Sequence, residues 1–180
     1  AFNAASMPTL NQVEFTNNSA LSVGGAIANW AAFGTSNLVI NGSTFSGNSA
    51  MNGGAFYSNS SSSGFSQTDI SNSTFFNNTS QDLGGAIYIT DGSINLNPVT
   101  HSQNTAASSG VGIYTFDSNS NLQNSILWDN QANTGNQVFN NNSQLNVSFS
   151  VVENNCSAFG SAGSGSQTCN NILTGNPNLG

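Results

Sequence analysis

Residues 14–29 read EFTNNSALSVGGAIAN, residues 44–58 read TFSGNSAMNGGAFYS and residues 74–89 read TFFNNTSQDLGGAIYI. Set beneath one another they register, and three looser passes follow: THSQNTAASSGVGIYT (100–115), ILWDNQANTGNQVFN (126–140) and VVENNCSA (151–158). One column holds Phe15, Phe45, Phe75, His101, Leu127 and Val152, at intervals that shorten after Phe75. Three positions on stands an asparagine column: Asn18, Asn48, Asn78, Asn104, Asn130 and Asn155. Five positions before the first column stand Leu10, Ile40, Ile70, Leu96, Leu122 and Val147, and further along come Ile27, Phe56, Ile87, Ile113 and Val138.

Each pass supplies β-like pieces too short to form a stable sheet alone. They become stable when each coil lies about 4.8 Å from the last and like residues stack on like. The apolar columns then form internal ladders, each buried side chain contributing roughly 1.5–3 kcal/mol. The asparagine column fits a turn, because Asn tolerates a left-handed backbone and its amides bond up a stack. Gly24-Gly25, Gly53-Gly54 and Gly84-Gly85 recur at one repeat phase, which marks a corner needing positive φ or close approach of neighbouring coils. The expected fold is all-β: a right-handed parallel β-helix of about six coils of roughly 25–30 residues, the hand following the crossover preference. One domain spans 1–180, with repeats over about 10–155 and a Gly/Ser-rich tail over 156–180. Cys156 and Cys169 bracket SAFGSAGSGSQT in that tail, and a disulfide closing this loose loop contributes about 3 kcal/mol in the chain-entropy model.

These residues resemble the repeats of polymorphic outer-membrane proteins and related surface β-helix proteins, which alternate GGA[ILV] and FxxN motifs. GGAI stands at 24–27 and 84–87 and GGAF at 53–56; FTNN, FSGN and FFNN start at Phe15, Phe45 and Phe75. The fourth and fifth coils depart, with His101 and Leu127 for Phe and GVGI or NQVF for GGAI. The resemblance implies a secreted or surface-displayed protein and supports the right-handed coil; it does not imply catalysis, since a fold alone carries no function. ILTGNPNLG near the end resembles a segment recurring within larger surface proteins, so the chain is expected to be a processed piece. AFNAASMPTLNQ at the start has neither basic leader nor apolar h-region, as expected once a signal peptide has been removed.

Among 180 residues there is no Lys or Arg, with seven acids and one His. A cationic patch for nucleic acid, an Arg fork for phosphate and a basic anchor for anionic lipid are therefore missing. No apolar run reaches the length of a membrane-spanning helix. His101, the sole general-base candidate, occupies the Phe column and reads as a packed histidine. Asp91 and Asp117 lie one coil apart and offer oxygen ligands to Ca²⁺, but two solvated turn residues are the favoured reading. No metal, cofactor or catalytic residue is expected. Beside the inner Ile column runs a second line of Ala28, Tyr57, Tyr88, Tyr114 and Phe139. Strand alternation sends it outward, which makes it, bordered by Trp30, a candidate glycan or partner platform. The alternative is that the rings pack under a turn.

The expected function is that of a non-enzymatic extracellular structural protein, a surface fibre or coat subunit that self-associates through solenoid packing. Uncapped solenoid ends favour such stacking. An adhesin or glycan-binding module using the aromatic ladder is the second expectation, and a β-helix polysaccharide-active enzyme a remote third. Ice binding ranks lower because no Thr column is evident.

Overall fold

The computed structural model describes residues 2–4, 7–60 and 63–179, with side chains from residue 7 onward. Among them there is no α-helix, and only Cys156–Ala158 forms a 3-10 turn. The strands stack into three long sheets and a short one, and every pairing is parallel. The first sheet has seven strands: Phe2–Ala4, Ile27–Ala31, Phe56–Ser60, Ile87–Thr90, Ile113–Phe116, Val138–Asn141 and Gly160–Ala162. The second runs from Thr9–Asn11 through Gly34–Asn41, Gly64–Ser71, Ser93–Leu96, Asn119–Gln123 and Gln144–Ser148 to Ser166–Asn170. The third holds Glu14–Thr16, Thr44–Ser46, Ser73–Phe76, Val99–Ser102, Ile126–Trp128 and Val151–Val152. Two-residue strands at Ser49–Ala50, Thr79–Ser80 and Thr105–Ala106 make the fourth. This is a parallel β-solenoid.

Register turns the sequence columns into ladders. Phe15, Phe45, Phe75, His101, Leu127 and Val152 are successive partners in the third sheet. Rings 15, 45, 75 and 101 stack face to face with centroids 4.5–4.8 Å apart, the spacing of the strands themselves. Ile27, Phe56, Ile87, Ile113 and Val138 pair along the first sheet. Leu10 to Val147 pair along the second and are continued by Cys169. Together these columns are the apolar core.

The coils differ in length chiefly at one corner. The step from the Leu10 column to the Phe column is constant, and the step from there to the Ile27 column varies by a single position. The return to the second sheet is longer in the first two coils, Ile27 to Ile40 and Phe56 to Ile70. It is shorter in the next three, Ile87 to Leu96, Ile113 to Leu122 and Val138 to Val147. The longer corners bury a polar cluster instead of a hydrophobic one: Asn29 donates to Ser66 (2.9 Å) and Ser58 (3.3 Å) and accepts from Ser36 (2.7 Å). Buried polar groups of this kind need each other as partners.

At the glycine corner, Gly24, Gly53 and Gly84 have φ of +58°, +62° and +64°. The second glycine of each pair is required by proximity: a Cβ on Gly54 would lie 2.1 Å from the Gly85 carbonyl oxygen and 2.6 Å from that of Thr79. The tail differs from the loose loop expected of it. Gly160–Ala162 pairs with Phe139–Asn141, and Ser166–Asn170 with Gln144–Ser148, beginning a seventh coil. The Cys156–Cys169 disulfide is formed and ties this strand pair to the core.

Candidate functional site

The asparagine column is a continuous amide ladder. Asn18, Asn48, Asn78 and Asn104 each donate from Nδ2 to the Oδ1 of the next coil's asparagine, at 2.8–2.9 Å. That Oδ1 also accepts the preceding coil's backbone N–H. A second Nδ2 hydrogen bond, from Asn48, Asn78, Asn104 and Asn130, reaches back to the carbonyls of Phe15, Phe45, Phe75 and His101 respectively. The left-handed residue of this corner is the one before the column: Asn17, Gly47, Asn77, Gln103 and Asp129, at φ of 53–64°. That corrects the reading that placed the column itself in the left-handed region. Asn155 does not join the stack; it caps the 3-10 turn by accepting from the Cys156 N–H at 2.7 Å. The ladder closes instead through Asn130 to Gln137 (2.6 Å) and Gln137 to Glu153 (2.7 Å).

His101 is wholly buried between Phe75 and the aliphatic end of its column, and neither ring nitrogen has a hydrogen-bond partner. Burial pushes its pKa down to about 3, so the ring is neutral and sealed from any substrate. Asp91 accepts from its own neighbour Thr90, and Asp117 accepts from Asn142. Among the described residues no three metal-ligating side chains cluster.

Ala28, Tyr57, Tyr88, Tyr114 and Phe139 do form one ladder in register. Edge-on contacts join Tyr57 to Tyr88 (5.4 Å) and Tyr88 to Tyr114 (5.0 Å), and Tyr114 stacks on Phe139 at 5.3 Å. The line is largely covered, however. Tyr57 is 9% and Tyr114 6% exposed, and Tyr88 and Phe139 are half-buried. The cover is the glycine corner just upstream, where a Cβ on Gly110 would meet Tyr114 and Phe139 within 3.0 Å. Burial first, then the neighbouring Tyr114, Tyr57, Asp91 and Asp82, pushes the Tyr88 hydroxyl up to about 12. Tyr57 is likewise raised by burial, an effect offset in part by its hydrogen bond to Asn59. Trp30, 40% exposed, stands apart on the long corner, paired with Asn59.

Two outward faces escaped the sequence reading. On the second sheet, Asn95 donates to Asp69 (2.7 Å), Asn121 to Asn95 (2.9 Å), Asn146 to Asn121 (3.0 Å) and Thr168 to Asn146 (2.6 Å). On the third, Thr44, Thr74 and Thr100 pair in successive coils, so a short Thr column does exist. Beside it run Ser46, Phe76, Ser102 and Trp128. Over this second column lies an open cleft of about 710 Å³, whose lining includes Asn176, Asn178 and Leu179 of the tail. The signal for both faces was present as alternate residues of already aligned strands.

A solenoid with inward apolar ladders, a glycine corner and an amide stack defines the class: a β-helix repeat protein. Residues 12–29, 42–63 and 72–90 match the family model of the Chlamydia polymorphic membrane protein repeat. The chain is thus a β-helix repeat protein carrying repeats of the polymorphic-membrane-protein kind, known from outer-membrane surface proteins, and a cell-surface location is consistent with that. No curated protein and no solved structure matches it. No helix of the described residues is long and apolar enough to cross a membrane.

Proposed function

We propose that the chain is a non-enzymatic, extracellular structural segment, a rigid rod that packs side by side with other solenoids in a surface fibre or coat. The observation that carries this reading is the outer amide ladder from Asp69 to Thr168. Its side chains are ordered along the axis before any partner arrives, so little rotamer freedom remains to be lost on contact. The flanking column adds Asn37, Gln67, Ser93, Asn119 and Gln144, leaving these two columns with one carboxylate. Uncharged amide faces of this kind self-complement, as stacked Asn and Gln do in dry sheet interfaces. The chain's seven acids repel without an opposing cation, yet in these two columns only Asp69 does so.

Sedimentation and negative-stain microscopy across a concentration series test the proposal. Laterally associated rods, dispersed by Asn121→Lys, support it. A monodisperse rod at every concentration, unchanged by Asn121→Lys, sinks it.

A further inference from the structure

We propose that the cleft on the third sheet binds a neutral carbohydrate, one sugar ring seated between Phe76 and Trp128 above Ser102. Phe76 pairs with Ser102 and Ser102 with Trp128, so the two aromatic side chains share one outward column two coils apart. Two strand steps of about 4.8 Å separate their backbones by roughly 9.6 Å. A ring-shaped ligand in contact with an aromatic face on each side needs about 7–8 Å, two carbon–carbon contact distances. The inner column places a ring at each step from Phe15 to His101, 4.5–4.8 Å apart; the outer one has only the small Ser102 side chain, 7% exposed, between Phe76 and Trp128.

The chemistry around the gap selects the occupant. Phe76 is 38% exposed and Trp128 half-buried, giving apolar faces that suit the C–H face of a pyranose. Around these rings the lining is mostly polar and uncharged: Thr74, Thr100, Gln103, Asn176 and Asn178. These supply hydroxyl and amide donors and acceptors in the number a polyol requires. The one charge is the exposed Asp129 carboxylate, and the chain has no Lys or Arg. Sulfated, phosphorylated or sialylated glycans would meet repulsion with nothing to offset it. An organic cation would accept the aromatic faces and Asp129, but would leave the amide and hydroxyl rim unused.

Trp128 reports directly on the site once the other tryptophan is removed by Trp30→Phe. Titration with neutral trisaccharides of glucose, mannose and N-acetylglucosamine at millimolar concentrations should give a saturable blue shift and intensity change with at least one of them. Ser102→Phe fills the gap and should abolish that change while the thermal transition is kept. Phe76→Ala should weaken binding about tenfold, the loss of one ring contact of about 1.4 kcal/mol. No response to any neutral trisaccharide, or a response that survives Ser102→Phe, overturns the proposal. So does saturation by tetramethylammonium alone that disappears in Asp129→Asn, which would make the cleft a cation site.

Discussion

The first three coils and the later ones solve the same geometric problem with different residues. Those through Phe15, Phe45 and Phe75 stack three phenyl rings, carry complete Gly-Gly corners and include the two long returns to the second sheet. Those through His101, Leu127 and Val152 are shorter and replace Phe, and the first two each keep one positive-φ glycine, Gly110 and Gly135. Strand register is unbroken across the join: Phe75 pairs with His101 and Ile87 with Ile113. What the repeat needs physically is therefore an inward apolar position, a left-handed corner and an amide stack, and residue identity is secondary. The regular coils stack phenyl rings inside and also set Phe76 outside; the irregular ones place Trp128 outside two coils on, and the cleft opens between them beside Ser102.

Substitutions in matched positions can break or sharpen this contrast. The largest effect is expected from Gly54→Ala, which drives a methyl group into the backbone of the next coil. Overpacking against backbone with no room to relax costs about 3 kcal/mol or more, and thermal melting by circular dichroism should show a large drop or loss of folding. An unchanged melting temperature would mean that the paired glycines are not what holds these coils together.

Asn78→Ala removes both amide links from the centre of the ladder and strands the Asn48 N–H. The expected cost is about 2–4 kcal/mol, against less than about 1 kcal/mol for Asn155→Ala outside the stack. Equal effects in urea melts would show that the ladder is decorative.

Reducing the Cys156–Cys169 bridge releases a short loop and should cost about 2–3 kcal/mol. Hydrogen exchange should localise the loss to Phe159–Asn170 and leave the Phe15–Phe75 coils protected; uniform loss would make the solenoid one cooperative unit.

The smallest effect is a gain. His101→Phe completes the ring column and removes two unpartnered nitrogens, stabilising the fold by about 1–2 kcal/mol at neutral pH. Since the folded-state pKa lies near 3, below the unfolded value of 6.5, the unfolded chain binds the extra proton between those limits. Stability contributed by the neutral ring is thus complete above about pH 6.5 and falls as pH drops towards 3. In His101→Phe that part of the acid dependence should vanish from denaturation curves measured between about pH 4 and 7.

Much of this architecture was legible because three apolar columns recur in every coil, two of the three steps between them fixed or nearly so. The periodicity of Leu10, Phe15 and Ile27 already implied stacked internal ladders and a parallel register. Burial of Tyr57 and Tyr114 was only half legible: alternation places them outside, packing under a turn was the alternative, and the fold of the glycine corner decides between the two. Strand formation at 166–170 was hidden because SQTCN has no apolar alternation; its pairing follows from the neighbouring strand's free edge and from Cys169 taking the next core position. The cleft joins Phe76 to Trp128 across two coils, and it becomes visible only when outward residues are aligned as carefully as inward ones.

The single corner that absorbs most of the change in coil length has a consequence for heredity. Because the other sides of every coil keep nearly fixed spacing, a gene for such a protein can lengthen or shorten one side of a coil, or lose a whole coil, without disturbing the neighbours' pairing. Removing positions 71–96, for example, would join Ile70 to Asn97 with each column still in phase. Recombination between similar repeats would then yield a rod of different length, not a broken protein, and variation in the number of coils becomes the mutation this fold most readily survives.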